Sequence, residues 1–451
     1  MGFCRNGGSA SPDKFFATIL GAVPLAVKAR ASSQRSIATG ALALSIFLLA
    51  LLGVADPARA LIGGEDFEPG QVVVKLNPTI GASIEKINAD YGLTTLEELP
   101  GSDGIYLLKT PAGSDTQGVV GRLVNDARLL YAEPNFVAEA PEDHAGDGRH
   151  NAWGINDTSG SSEDYAASAL GLPCAATASL GQDTTVAVVD TGAQLDHPDL
   201  EENFKGVSRY DFVENDRNPT ERKVGLDADG DGIKDELMGH GTHVAGIVDR
   251  MAPAAKIMPL RVLNSEGRGN TFTIAKAIFY AQSNGADVIN LSLGSSRQST
   301  TLRGVIKDTV RDGVVVAAAA GNSNSNLPHF PAAGNGTVAS ADGLVAVTAV
   351  DRYQKKSGYA NYGTWMDIAA PGNGIRSTFP GGMYANWSGT SMATPFVSGQ
   401  AALIHAVYGS LDPAGVEAKI RLSAQSLTLK NLTYVGMLGA GQANACASLL
   451  S

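Results

Sequence analysis

From about residue 150 onward, nearly continuous apolar segments alternate with segments whose apolar residues recur at helical spacing. In Thr271–Asn284 the apolar residues lie three or four positions apart, and Gly285 ends the pattern. Thr301–Asp312 repeats it before Gly313. Apolar strands that alternate with helices indicate an α/β fold, a parallel sheet covered by helices on both faces. The predicted strands are Thr184–Asp190, Lys256–Leu263, Asp287–Gly294, Val314–Asn322 and Leu344–Asp351.

Residues 61–140 follow a different pattern, in which short strands and two amphipathic helices mix. The predicted order is strand, helix, strand, strand, helix, strand, which is the split ferredoxin-like arrangement of a small α+β domain. The polar, glycine-containing segment 141–150 is predicted to be a linker. Four parts are therefore expected: a leader at 1–60, the small domain at 61–140, the linker, and a large domain at 151–451.

The leader contains an uncharged apolar run, Ile37–Val54, preceded by Arg30 and Arg35. Ala58-Arg59-Ala60 follows it as a small-residue cleavage pattern, which predicts a secretory signal peptide cut after Ala60. The alternative is a membrane anchor, because the run approaches the length that spans a bilayer. The cleavage pattern favours the signal peptide, an extracellular or periplasmic location, and no stable membrane association.

The net charge and the cysteine content bear on the possible partners of the protein and on a possible disulfide. The net charge of −11 includes four net positive charges in residues 1–60, so residues 61–451 carry −11 − 4 = −15. That surplus argues against nucleic acid or an anionic membrane as a partner. Cys174 and Cys446 remain after the leader; in an oxidising compartment they can pair, but their separation in sequence leaves a disulfide open.

The candidate chemistry begins with Ser391, which stands in the uncharged stretch GTSMATPFVSG, Gly389–Gly399. Ser391 alone is compatible with a helix cap or with a nucleophile, and Pro395 is expected within the first turn of the helix that follows. Hydrolysis by a serine needs a base and an acid that orients it. His240 in GHGTHVAG and Asp190, at the end of an apolar strand, are the candidates. His240 and His243 are a weak metal pair, because the Glu of H-E-x-x-H is absent.

Five motifs then occur in a fixed order: VAVVDTG, GHGTHVAG, SLG, AAAGN and GTSMATPFVSG. In this order they resemble the subtilisin-like serine proteases, the subtilase family, over roughly residues 150–451, and residues 61–140 resemble the family's inhibitory propeptide. The resemblance implies that Asp190 orients the base, His240 is the general base and acid, and Ser391 is the nucleophile. It also implies that Asn322 donates to the oxyanion, together with the Ser391 backbone N–H.

Two other folds fail on sequence order. An α/β-hydrolase has G-x-S-x-G followed by an acid and a histidine, whereas position 393 is Ala and no acid lies between Ser391 and His405. The glycines around His240 do not match the dinucleotide-binding pattern G-x-G-x-x-G.

By resemblance, an extended polypeptide substrate lies between two backbone segments that flank the pocket for the residue before the cut. Hydrogen bonds to the substrate backbone distinguish poorly between substrate sequences, so broad specificity is expected. Small alanines leave room for an apolar or aromatic side chain in that pocket. The implied substrate-binding residues are Ser292, Leu293, Gly294, Ala319, Ala320 and Gly321.

The stretch DADGDGIKDE, Asp227–Glu236, begins like a calcium loop. Position 12 is Met238 rather than Glu, so it is no EF-hand, and a solvated acidic loop is the alternative. The expected calcium ligands are Asp227, Asp229, Asp231 and Asp235.

The predicted protein is a secreted, monomeric serine endopeptidase, made as a zymogen that its own propeptide blocks and that processes itself. The predicted tail near Phe136–Ala140 enters the cleft, with cleavage between about 138 and 152. An esterase acting on non-protein acyl groups, a catalytically silent binding module and a metalloprotease are the alternatives.

Overall fold

The computed structural model describes residues 66–144, 165–227, 232–334 and 342–450. The predicted signal peptide and both Asp229 and Asp231 lie outside these ranges. Within them, no helix is long and apolar enough to cross a membrane.

The N-terminal domain has the predicted strand and helix order, and the ferredoxin-like arrangement is confirmed. Its antiparallel sheet runs β2-β3-β1-β4, and the two helices cover one face of it. Val72 and Val74 alternate toward those helices and form a separate core with Ile87, Leu108 and Leu123. The elements are β1 (Phe67–Leu76), α1 (Ile84–Tyr91), β2 (Thr94–Glu98), β3 (Ile105–Lys109), α2 (Thr116–Leu123) and β4 (Leu129–Glu139), followed by a 3-10 turn at Pro141–His144.

The large domain contains the predicted parallel sheet, which has seven strands in the order β12-β11-β10-β9-β5-β7-β6. Its neighbouring strands all pair in parallel, and β5, β9 and β10 are buried almost throughout, as their continuous apolar sequences predict. The strands of this sheet are β5 (Thr185–Asp190), β6 (Tyr210–Asp211), β7 (Lys256–Arg261), β9 (Val288–Leu291), β10 (Val315–Ala319), β11 (Leu344–Val350) and β12 (Ile368–Pro371).

Three short strands lie outside this sheet. The strand β8 (Arg268–Asn270) joins the edge of the N-terminal sheet beside β4, and β13 (Ile375–Phe379) pairs antiparallel with β14 (Met383–Trp387). The helices of the large domain are α3 (Tyr165–Leu170), α4 (Leu172–Ala175), α5 (His240–Met251), α6 (Thr271–Ser283), α7 (Thr300–Arg311), α8 (Thr390–Val407), α9 (Pro413–Leu422) and α10 (Ala445–Leu450), with 3-10 turns at Thr428–Lys430 and Leu432–Tyr434.

Helix α8 forms the centre of the large domain. It packs against α5 and against strands β9, β10, β11 and β12, and Phe396 and Ile404 are fully buried. The lack of charge in its sequence therefore reflects burial on all sides. A disulfide joins Cys174 on α4 to Cys446 on α10, with the two Cα atoms 5.4 Å apart.

Candidate active site

Four of the predicted residues lie at the carboxyl ends of parallel strands or at adjoining helix starts. Asp190 is the last residue of β5, and Asn322 follows β10 after a short turn. His240 is the first residue of α5, and Ser391 is the second residue of α8. Polar groups converge at this edge because parallel strands all end there.

Asp190 and His240 form a fully buried pair. His240 Nδ1 lies 2.7 Å from Asp190 Oδ1, and the Thr191 backbone N–H donates to the same oxygen at 2.7 Å. Gly239, just before the histidine, has φ 101°, and a Cβ there would lie 2.4 Å from a ring carbon of Phe379. Only glycine fits this turn, which fixes the direction in which His240 enters the helix.

A carboxylate from the segment predicted to be a linker occupies the centre of the site. Glu142 Oε2 accepts from the Ser391 hydroxyl at 2.7 Å and lies 3.2 Å from His240 Nε2. Its other oxygen, Oε1, accepts from Asn322 Nδ2 at 3.0 Å. The side chain of Glu142 is only 7% exposed. Three predicted site residues therefore contact one carboxylate.

The two carboxylates make His240 strongly basic. Burial acts to lower the pKa of His240, but Asp190 and then Glu142 outweigh it and raise the pKa to about 10. Burial acts to raise the pKa of Glu142, yet its contacts with His240, Ser391 and Asn322 leave that pKa below its ordinary value. At neutral pH, His240 is therefore an imidazolium and Glu142 is a carboxylate.

The side chain of Asn322 is held in one orientation by Thr390. The Thr390 backbone N–H and hydroxyl donate to Asn322 Oδ1 at 3.0 and 2.9 Å, so the Nδ2 group points toward Glu142. A Cβ at Gly389 would lie 1.8 Å from Glu142 Oε1, so this glycine leaves the space that the carboxylate oxygen fills. Thr390 was not singled out from the sequence.

Ser391 lies in the first turn of α8, as predicted, but Pro395 does not. The helix begins at Thr390, so Pro395 lies in the second turn, and its missing N–H leaves the Ser391 carbonyl without the usual helix bond. The Ser292 hydroxyl donates to that carbonyl at 3.0 Å. This proline therefore lets a residue that follows β9 bind the backbone of Ser391.

The tail segment (residues 137–142) runs between two backbone segments of the large domain. Glu139 and Gly294 exchange N–H···O bonds of 2.8 and 2.9 Å, and the Ala140 N–H donates to Gly267 O at 2.9 Å. On the second side, Val137–Glu139 pairs antiparallel with β8. Of the predicted substrate-binding residues, Ser292, Leu293 and Gly294 follow β9, Ala319 ends β10, and Ala320 and Gly321 come next. The β8 side was missed because three residues give too short a periodic signal.

His243 lies beside the site but has a structural environment. Its Nε2 donates to the carbonyl oxygens of Ile375 and Ala385 at 3.0 and 3.1 Å, and its ring stacks on Trp387. Burial lowers the pKa of His243 to about 3, so the ring is neutral.

The proposed calcium loop is only partly described. Within the described ranges, no group of three or more His, Cys, Asp or Glu is arranged to hold a metal ion. Asp227 is half-buried, while both oxygens of Asp235 already accept from protein donors, Val224 N, Gly225 N and Ser265 Oγ. Asp235 therefore anchors the backbone of residues 224 and 225, and its role as a calcium ligand stays a prediction.

Family profiles match both domains of this chain. The subtilase family (Peptidase_S8) profile matches residues 181–441, and the profile of the fervidolysin N-terminal prodomain matches residues 55–135. The thermophilic serine proteinase of Bacillus sp. (strain AK1) is 36% identical over 357 residues, which cover 74% of this chain and 77% of that protein. Thermitase of Thermoactinomyces vulgaris is 38% identical over 259 residues, covering 55% of this chain and 84% of thermitase.

The crystal structure of fervidolysin from Fervidobacterium pennivorans, a keratinolytic enzyme related to subtilisin, superposes with a TM-score of 0.69. The match covers 86% of this chain and 62% of fervidolysin, so this chain spans less than two thirds of that enzyme, and the 22% identity shows the fold alone. The family match rests on the sequence comparisons, which cover the large domain and the N-terminal domain separately. The chain belongs to the subtilase family of serine endopeptidases and carries an N-terminal prodomain.

Proposed function

We propose that this protease cleaves peptide bonds with Ser391 as nucleophile, His240 as general base and acid, and Asp190 as the group that orients His240. Asn322 Nδ2 and the Ser391 backbone N–H are the proposed oxyanion donors. One observation carries the proposal: Ser391, His240 and Asn322 all contact the Glu142 carboxylate, one oxygen on the serine and histidine and the other on the asparagine. A reacting carbonyl needs this arrangement of partners.

The proposed reaction follows from these positions. His240 Nε2 removes the Ser391 proton as Oγ attacks the carbonyl carbon, and Asp190 stabilises the imidazolium that forms. The negative oxygen lies at the amino end of α8, where the helix dipole favours it. The imidazolium then gives its proton to the leaving amine, and the C–N bond breaks. Water, deprotonated by His240, hydrolyses the resulting acyl-enzyme and regenerates Ser391.

The test uses a fluorophosphonate that labels activated serines, with mass spectrometry of the purified protein. We expect Ser391 to carry the label and Ser391→Ala to abolish it, while Ser388→Ala, three residues earlier, keeps it. A label that persists in Ser391→Ala contradicts the assignment. An unlabelled wild type favours the silent binding module or, where a chelator removes activity, a metalloprotease. Turnover of small esters without casein favours the esterase.

We further propose that the precursor is a zymogen that processes itself. The pairing of the tail segment with Gly294 and β8 supports this, because it places residues of the prodomain in the substrate cleft. Ser391→Ala should accumulate the uncut chain after signal removal. If the pure variant still matures alone, self-processing is wrong.

The proposed substrate preference is broad, with an apolar residue before the cut. Backbone bonds to Gly294 and Gly267 support breadth, because they recognise no side chain. The buried alanines Ala319 and Ala320 support the apolar preference. Sequencing the products from a denatured protein digest tests both, and cleavage mainly after charged residues would contradict the preference.

Secretion and calcium binding are also proposals. The cleavage pattern before Leu61 supports export, which N-terminal sequencing of the culture-medium protein tests. The carboxylates of Asp227, Asp229, Asp231 and Asp235 are the kind of oxygen ligand that calcium prefers. We expect calcium titration to show binding that Asp229→Asn with Asp231→Asn abolishes, whereas Glu214→Gln, outside the loop, retains it. Equal binding by both variants contradicts a site in this loop.

A further inference from the structure

A second buried glutamate, Glu221, lies beside the Asp190–His240 pair without touching either side chain. It receives hydrogen bonds from the hydroxyls of Thr191 and Thr242. The backbone N–H groups of Gly239, Gly241 and Thr242 donate to its oxygens at 3.0, 3.3 and 3.3 Å. Every one of these neighbours donates, so the carboxylate accepts five hydrogen bonds.

These donors belong to the two segments that carry the catalytic pair. Thr191 follows Asp190 and donates its backbone N–H to Asp190 Oδ1 at 2.7 Å. Gly239 and Gly241 stand on either side of His240, and the Gly241 N–H also donates to Thr191 Oγ1 at 2.9 Å. A single carboxylate therefore connects the end of β5 to the start of α5.

The charges around Glu221 make this link sensitive to its ionisation. Asp190 on β5 and His240 on α5 lie on one side, and Arg261 on β7, which pairs with Asp211 at 2.8 Å, borders the same space next to Gly192. Burial raises the pKa of Glu221, while the Thr191 and Thr242 hydroxyls act to lower it. The free N–H groups at the start of α5 favour a negative charge at this position.

We propose that Glu221 is a positioning residue that holds Asp190 and His240 in register for proton transfer from Ser391. The inference rests on the proposed function of those three residues. Glu221 touches neither substrate nor the reacting atoms. Its carboxylate fixes the backbone on both sides of the Asp190–His240 hydrogen bond, and a small misplacement of a catalytic group lowers turnover steeply.

The experiment compares the mature wild type with Glu221→Gln and Glu221→Ala. Glu417→Gln is the matched control, because Glu417 is also buried and accepts from Gly343 N at 2.8 Å, but on α9 away from the site. We expect Glu221→Gln to lower both kcat and the rate of fluorophosphonate labelling about tenfold, and Glu221→Ala about 100-fold, with KM nearly unchanged. Glu417→Gln should retain both rates, whatever its effect on Tm.

If Glu221 had a purely structural role, Glu221→Gln would leave the pH profile of kcat/KM unchanged. A positioning role beside His240 predicts that the profile shifts. Above its raised pKa, Glu221 carries a negative charge near His240, and loss of that charge in Glu221→Gln lowers the pKa of the imidazolium, so the acidic limb of kcat/KM should move to lower pH. If Glu221→Ala fails to fold, Glu221→Gln and Glu221→Asp, which should recover part of the rate, carry the test. Kinetics of Glu221→Gln equal to those of Glu417→Gln overturn the inference and leave the proposed function intact. A wild type without label overturns both.

Discussion

The imidazole of His240 is held by a carboxylate on each side, and the two carboxylates come from different parts of the chain. Asp190 ends a central strand of the large domain, is fully buried, and is fixed by the backbone of Thr191. Glu142 comes from a short 3-10 turn that follows the prodomain. The first contact, at 2.7 Å, belongs to the enzyme's own core, and the second, at 3.2 Å, belongs to the segment in which the zymogen proposal places the cut.

The two carboxylates have different consequences for the protonation of His240. With both carboxylates in place the pKa of His240 is about 10, so at neutral pH the imidazole already carries the proton that it would have to accept. Removal of Glu142 leaves Asp190 as its carboxylate partner and lowers that pKa. Under the proposed function, Asp190 serves catalysis and Glu142 serves inhibition, although both accept the same kind of hydrogen bond from His240.

The largest expected effect concerns the contact between Asp190 and His240. Asp190→Asn should lower kcat of the mature enzyme on the order of 10⁴-fold, because an amide cannot stabilise the imidazolium and favours the wrong tautomer. Asp249→Asn is the control, because Asp249 is a partly buried carboxyl on α5 whose partner is Asn203. Steady-state kinetics on a peptide substrate measure both. A loss below tenfold in Asp190→Asn contradicts the assigned role.

The second prediction concerns Asn322, which contacts Glu142 in the precursor and is proposed to bind the oxyanion in the mature enzyme. Asn322→Ala should reduce kcat by about 10²–10³-fold. Removal of the single side-chain donor of the oxyanion hole in subtilisin lowers kcat by this amount. KM should change little, because the donor acts mainly in the transition state. Asn326→Ala, in the same loop, should retain full activity. A rise in KM with constant kcat would instead make Asn322 a substrate-binding residue.

The third prediction tests the removable contact. In the uncut precursor, Glu142→Gln should label with fluorophosphonate about tenfold faster at pH 8, because loss of the charge lowers the pKa of His240 and frees its Nε2. Glu139→Gln is the matched control, since Glu139 lies in the same tail segment but pairs with Arg268. The precursor band is followed during the first minutes, before processing.

The labelling rate of the precursor should also depend on pH, in a direction that the pKa of His240 sets. Asp190 and then Glu142 raise the pKa of His240, so the ion pair between His240 and Glu142 is fully formed below the pKa of the free imidazole and is lost as pH rises through about 10. Labelling of the wild-type precursor should therefore increase toward pH 10, and Glu142→Gln should flatten that increase. Identical pH profiles for the two precursors would show that Glu142 does not hold the proton on His240.

The sequence was most informative where function lies at strand ends. Asp190, His240, Asn322 and Ser391 stand beside strongly apolar segments, and a parallel sheet brings the ends of such segments together. Glu142 and Glu221 lie in polar stretches without periodicity, so nothing local distinguishes them from solvated loop residues. Their roles depend on hydrogen-bond partners that are distant in sequence. The displacement of Pro395 into the second turn likewise becomes intelligible only with Ser292 in place.

The smallest predicted effect lies at the interface between the two domains. Glu133 on β4 accepts from Ser299 Oγ at 2.7 Å and from the Thr300 and Thr301 N–H groups at 2.7 and 2.9 Å, so the prodomain caps α7 of the large domain. Glu133→Gln should reduce the free energy of unfolding of the precursor by about 1–2 kcal/mol, the usual cost of a lost helix cap with a charged acceptor.

Thermal unfolding measures this effect in a Ser391→Ala background, where the precursor stays uncut, and Glu98→Gln on β2 is the control. The kcat of the mature enzyme per labelled serine should be equal for Glu133→Gln and wild type, because the proposed cleavage between about 138 and 152 removes residue 133. A lower kcat after maturation would mean that the prodomain leaves a lasting difference in the fold of the site. The division between a permanent catalytic half and a removable inhibitory half would then not hold.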